Sequence, residues 1–190
     1  VVGDHDKSFV GSTEQSMNVQ NIYVHPSYDS SSMDSDFALL ELTQDVVTNE
    51  CVAVACLPEA DVAAGTECWI TGWGTLYSGG PTPDLLQEAK VQIVDQSSCN
   101  AAYDGSIDET MVCAQGVSPS GGVTDACQGD SGGPLVCNTG SGYEVHGATS
   151  WGMGCAQAAY PGVWSRIWTV RSWILNYVPL DGDTPAPTPA

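Results

Sequence analysis

In the run Asp125-Ala126-Cys127-Gln128-Gly129-Asp130-Ser131-Gly132-Gly133-Pro134, one serine sits among residues with almost no side chain. Gly129, Gly132 and Gly133 let the backbone turn sharply and let a carbonyl group approach the main-chain amides of Gly129 and Ser131. Two amides aimed at one point stabilise an oxyanion, and losing one such donor typically costs about 3 to 4 kcal/mol of transition-state stabilisation. Acyl transfer through a serine nucleophile is the chemistry this stretch suits.

A short Gly-Asp-Ser-Gly-Gly run taken alone is more often a surface turn. Here it leads directly into the apolar, strand-like Pro134-Leu135-Val136-Cys137 and is bracketed by two cysteines. The same letters fit the G-x-S-x-G nucleophile elbow of α/β-hydrolases, which needs a helix straight after the serine and an acid and a histidine downstream. Gly132, Gly133 and Pro134 forbid that helix, and His146 is the only downstream histidine. The elbow is excluded.

A second carboxylate stands out in Asp34-Ser35-Asp36-Phe37-Ala38-Leu39-Leu40, where Asp36 precedes a buried-looking strand. With Asp130 beside Ser131 and Asp125 six positions before it, the chain closely resembles the trypsin/chymotrypsin serine peptidase family over residues 1–178. The resemblance implies an all-β fold of two antiparallel six-stranded barrels with a C-terminal helix. It also implies that Ser131 is the nucleophile, Asp36 the triad aspartate, and Gly129 and Ser131 the oxyanion hole. Asp125 then corresponds to the acid at the base of the primary specificity pocket. Gly152 and Gly162 match positions that keep the pocket walls open, and Ser150, Trp151 and Gly152 would pair with substrate backbone as an added strand. The implied substrates are proteins or peptides cleaved after Arg or Lys. Ala126 replaces a serine of many trypsins and so favours Arg.

Such chemistry requires a histidine between acid and serine. His5, His25 and His146 are the three available, and none fits the family's His motif. The Ala-Ala-His-Cys motif is absent, and Val1-Val2-Gly3-Asp4 resembles an interior strand leading into the family's calcium loop. The expectation is therefore a C-terminal portion whose catalytic histidine comes from a segment absent from this sequence. Losing the serine or the histidine alone costs about a millionfold in turnover in a related chemistry, so the chain by itself should be nearly inert. In the family, the Asp130 carboxylate pairs with the N-terminal ammonium released by zymogen cleavage. The competing reading is a non-catalytic homologue that acts as a binding protein.

Eight cysteines without a metal-type C-x-x-C pair argue for an oxidising, extracellular compartment and a secreted protein. The resemblance implies the pairs Cys68 with Cys137, Cys99 with Cys113 and Cys127 with Cys155. Cys51 and Cys56 are left over; they could pair locally with each other, or either offers a disulfide link to an N-terminal or light chain of the same enzyme. Asp4 and Glu14 resemble two ligands of the calcium loop, but Gly11 falls near a third ligand position, so neither metal nor cofactor is expected. With 23 acidic residues against 4 basic and a net charge of −19, nucleic acid and anionic membranes are disfavoured partners. No apolar run is long enough to span a bilayer.

Strand-like stretches fall at 21–24, 37–42, 67–73, 87–94, 143–151 and 162–166, separated by Gly/Pro-rich turns. Asp95 is placed to cap a short helix running to about residue 103. Val170, Trp173, Ile174 and Tyr177 form one apolar helical stripe, with Thr169 as its expected cap. The expected division is 1–48 for the remaining part of the first barrel, 49–66 for a connection, 67–179 for the second barrel with its helix, and 180–190 for a disordered Pro/Thr-rich tail.

Overall fold

The computed structural model describes residues 1–117, 121–140 and 142–178. The tail expected at 180–190 lies outside the described residues. Strands β1 (Val19–Val24) and β2 (Ala38–Leu42) form a two-stranded antiparallel sheet with Ile22 opposite Leu40 and Val24 opposite Ala38. After a connection of some length come β3 (Glu67–Gly72), β4 (Gln87–Ile93), the helix α1 (Gln96–Ala102), β5 (Met111–Val117), β6 (Val123–Thr124), β7 (Pro134–Asn138), β8 (Tyr143–Trp151), β9 (Gly162–Arg166) and α2 (Ile167–Leu175).

The larger sheet has the order β4-β3-β7-β8-β9-β5-β6, and a pairing of β4 with β5 through Gln92–Gln115 and Ile93–Ala114 closes six of these strands into a barrel. Closure leaves no open edge on those six. Alternation along β4 fills the barrel as the sequence requires: Val91 and Ile93 are buried and Ala89 is half-buried, while Glu88, Lys90 and Gln92 face out. They pack with Cys68, Ile70, Val112, Ala114, Leu135, Cys137 and Trp164. The fold is thus the expected all-β one, a closed six-stranded barrel beside a second sheet and a short C-terminal helix.

The cap of α1 is as expected, with the Asp95 carboxylate accepting from Ser98 N at 3.0 Å. The cap of α2 is not. That helix begins at Ile167 directly out of β9, its N-cap Arg166 makes no side-chain cap bond, and Thr169 lies inside the first turn, where its Oγ1 donates to Arg166 O at 2.8 Å. No turn separates strand from helix, so no hydroxyl residue has a capping position to fill. Tyr177 also lies past the helix end, although its N–H still reaches Ile174 O at 2.9 Å.

One face of the β1–β2 sheet rests on α2: Tyr23 stacks on Tyr177 at 4.4 Å, His25 meets Trp173 edge-on at 4.9 Å, and Phe37 and Leu39 pack against Ile167, Val170 and Ile174. The opposite face carries Ile22, Val24 and Leu40, each more than half exposed. The connecting segment is pinned to the barrel where Cys56 O accepts from Val145 N at 3.0 Å and Asp61 pairs with Arg166 at 2.7 Å. Disulfides join Cys68 to Cys137, Cys99 to Cys113 and Cys127 to Cys155, the three pairs the resemblance implies, whereas Cys51 and Cys56 are exposed free thiols. Among the described residues no helix is long and apolar enough to cross a membrane.

Candidate active site

The turn carrying Ser131 is braced from both sides. Gly129 (φ 100°) and Gly132 (φ 78°) adopt left-handed conformations that favour glycine. Gly133 N donates to Asp130 O at 2.8 Å, and Gly132 N and Thr149 N exchange bonds of 2.8 Å with Thr149 O and Gly133 O, tying the turn to β8. From the other side the Asp130 carboxylate accepts from Gly74 N at 2.8 Å and Cys127 N at 2.9 Å. A Cβ at Gly72 or Gly74 would overlap that carboxylate, so small residues there admit it. The backbone N–H groups of Gly129 and Ser131 donate to no acceptor among the described residues. Unspent donors beside an exposed serine suit an incoming oxyanion.

Ser131 opens on a cavity of about 150 Å³ that Asp125, Ser150, Trp151, Gly152 and Gly162 also line. Every sequence-derived pocket residue thus shares one wall or floor with the serine. Asp125 Oδ1 accepts from Ala126 N at 2.8 Å and Oδ2 from Ala156 N at 3.3 Å. Desolvation pushes its pKa up to about 6, outweighing these two bonds, which pull it down. An acid so placed gains most from a cation that enters the cavity. Cys127 and Cys155 both line the cavity, so their disulfide braces its wall.

Asp36 arrives from the first half of the chain. Its Oδ2 accepts a 2.6 Å hydrogen bond from Ser150 Oγ, so the carboxylate is fixed to the cavity wall. The turn before it is shaped by Met33 (φ 61°) and Ser35 (φ 50°), and is anchored to the barrel by Thr110 Oγ1, which accepts from Ser35 N at 3.1 Å. Sequence reasoning missed this anchor, and it missed the Ser150–Asp36 bond, because both join residues far apart in the chain.

No histidine lines the cavity. His25 packs on Trp173, and His146 is buried with Nε2 3.1 Å from Glu144 Oε2. Burial lowers the pKa of His146, and the neighbouring Glu144 carboxylate opposes that shift. Of the two residues that resemble calcium ligands, Glu14 accepts from Gly11 N through Oε2 at 3.3 Å. Among the described residues no cluster of three or more His, Cys, Asp or Glu is disposed to hold a metal ion. A second cavity of about 200 Å³ lies behind the serine turn, lined by Asp130, Ala126, Thr149, Ile70 and Gly72 among others.

Comparison with known proteins identifies the family. The sequence model of the family described as Trypsin matches residues 1–174. The chain is 40% identical over 174 residues to Trypsin of Sus scrofa, covering 91% of this chain and 72% of that protein. It is 42% identical over 178 residues to Anionic trypsin of Canis lupus familiaris, covering 93% and 69%. To Transmembrane protease serine 9 of Rattus norvegicus it is 41% identical over 181 residues, covering 93% of this chain but only 17% of that protein. A closed six-stranded barrel, a glycine-flanked serine that lines a cavity together with Asp125, and a family match across nearly the whole length lead to one conclusion: this chain belongs to the trypsin family of serine proteases.

Proposed function

We propose that this chain is the serine-bearing, C-terminal portion of a secreted trypsin-like endopeptidase that cleaves proteins or peptides after Arg or Lys through an acyl-enzyme. The observation that carries the reading is the shared cavity: Ser131 and Asp125 both line it, and Asp36 is bonded to Ser150, which lines it too. Ser131 Oγ attacks the scissile carbonyl, the amides of Gly129 and Ser131 receive the oxyanion, and Asp125 holds the basic side chain. Ser150, Trp151 and Gly152 offer the substrate backbone a strand to pair with. Ala126 presents a methyl group to the cation, which favours Arg over Lys.

The proton of Ser131 needs an imidazole, and in this reading a preceding segment supplies it. The apolar outer face formed by Ile22, Val24 and Leu40 is where that segment completes the first barrel. The cavity behind the serine turn, with Asp130 at its wall, suits the ammonium of an N-terminus released by zymogen cleavage. Cys51 or Cys56 supplies a thiol for a covalent link to such a chain. The absence of a histidine from the cavity lining favours one other reading, a non-catalytic homologue that binds basic peptides. Treating the native protein with a serine-directed organophosphonate and mapping the adduct by peptide mass spectrometry separates the two. Labelling at Ser131 supports the protease, and folded native protein that takes no label sinks it.

A further inference from the structure

Trp164 lines the same cavity as Asp125 and Ser131, yet it is completely buried. It sits in the middle of β9, where every residue from Gly162 to Ser165 is buried, and it shares a strand face with Gly162, two positions earlier. A Cβ at Gly162 would lie 2.7 Å from both Cζ3 and Cη2 of Trp164 and would overlap Asp125 Oδ1. The outer edge of the indole and the carboxylate therefore converge on one glycine at the cavity floor. On β8, Gly147 makes room for the base of the same side chain, since a Cβ there would lie 2.8 Å from Trp164 Cβ. The indole Nε1 is buried and has no hydrogen-bond partner.

What Trp164 brings to the cavity is thus the carbon edge of its six-membered ring, which holds no lone pair, while its one N–H sits on the other ring and is buried. We infer that Trp164 is a specificity-determining residue that makes this pocket select a guanidinium over an ammonium; the inference rests on the reading of Asp125 as the anchor for the substrate's basic side chain. An ammonium points three donors tetrahedrally, so the carboxylate cannot meet them all and one or more faces a wall without acceptors. A guanidinium directs its donors in one plane and meets a carboxylate through two parallel bonds, so it asks less of the acceptor-free wall. Ala126 adds a methyl group to the same lining, and Trp164 adds a larger surface that likewise offers no acceptor.

The test uses the full-length protease with its catalytic histidine, assayed on Arg and Lys esters identical except at that residue. The native enzyme should prefer Arg in kcat/KM by about tenfold or more, the size expected for one unmet buried donor. Trp164→Tyr, which adds a hydroxyl acceptor to the wall, should raise Lys relative to Arg by about the same factor. Trp164→Phe, with no acceptor, should leave the preference in place. A ratio untouched by Trp164→Tyr, or shifted as much by Trp164→Phe, overturns the inference and leaves the protease reading standing. Should both variants fold too poorly to assay, the native enzyme still decides, because equal cleavage of the two esters is incompatible with such a floor. Cleavage of neutral esters in preference to both basic ones would remove the Asp125 reading itself.

Discussion

Ser150 Oγ donates to Asp36 Oδ2 at 2.6 Å, a bond that spans 114 positions and joins β8 of the closed barrel to the turn before β2. It ties the turn that carries Asp36 to a residue that lines the Ser131 cavity. Hydrogen bonds to charged groups contribute about 1.5 to 3 kcal/mol each. Ser150→Ala should lower the unfolding free energy of the chain by about that amount, read from urea titrations. No loss of stability would mean that solvent replaces the hydroxyl at no cost and that the bond does not hold Asp36.

Asp125 gives a pH dependence with a definite sign. Its folded pKa of about 6 lies above the model-peptide value of 3.8, with desolvation as the largest cause. The folded chain thus holds this proton more tightly, and the stability it contributes is complete below pH 3.8 and is lost as pH rises through 6. Asp125→Asn cannot ionise, so its stability relative to the parent should improve across that window in paired denaturant titrations. Binding of benzamidine, an aryl amidinium, runs the other way. It should weaken as pH falls below about 6 and be nearly abolished in Asp125→Asn, as titration calorimetry would register.

Gly162 and Gly152 should respond differently to one added methyl group. At Gly162 the new Cβ meets Asp125 and the Trp164 ring, whereas at Gly152 the nearest atoms lie 3.9 Å away. Gly162→Ala should cost about 1 to 3 kcal/mol of stability through overpacking. Gly152→Ala should keep the melting temperature within a few degrees while narrowing the mouth of the cavity. Thermal melts of the two variants side by side check the contrast, and a larger loss at Gly152 would contradict the packing described.

Removing the bridge between Cys127 and Cys155 opens a loop of 28 residues. Chain-entropy arguments put its contribution at about 3 to 4 kcal/mol. The double variant Cys127→Ala/Cys155→Ala should fall by that much in guanidinium titrations and lose benzamidine affinity, since both residues line the cavity. Retained affinity would show that the β8–β9 pairing alone holds the wall.

Much of the site was legible because its parts are local. The glycines around Ser131 announce a braced turn, Asp95 announces a capped helix, and the alternation along β4 announces a strand with one buried face. The residues that sequence reasoning misplaced depend on distant neighbours. Met111–Val117 carries no alternation because both of its faces are covered, with Met111, Val112, Cys113 and Ala114 all buried in succession. β6 is two residues long and exists only through its pairing with Gly116 and Val117. Thr169 looked like a cap because threonine before an apolar stripe usually is one, but the stripe starts one turn earlier, inside a helix that grows straight out of β9. Trp164 carried no signal in the sequence, because its meeting with Asp125 at Gly162 joins residues far apart in the chain.

All three disulfides join residues between 68 and 155, within the half of the chain that forms the barrel. The β1–β2 sheet, whose strands precede and follow the turn to Asp36, is held to that half by packing on α2 and by hydrogen bonds, with no disulfide between them. Amide protons of residues 19–24 and 38–42 should therefore exchange through a local opening that leaves the barrel protected. In such an opened molecule Asp125 still has its floor and walls, while Asp36 has moved away with its sheet. In the proposed function, ligand capture at Asp125 and the alignment of Asp36 would thus reside in parts of the molecule with separate stabilities, so that a mild denaturant should abolish the second while sparing the first.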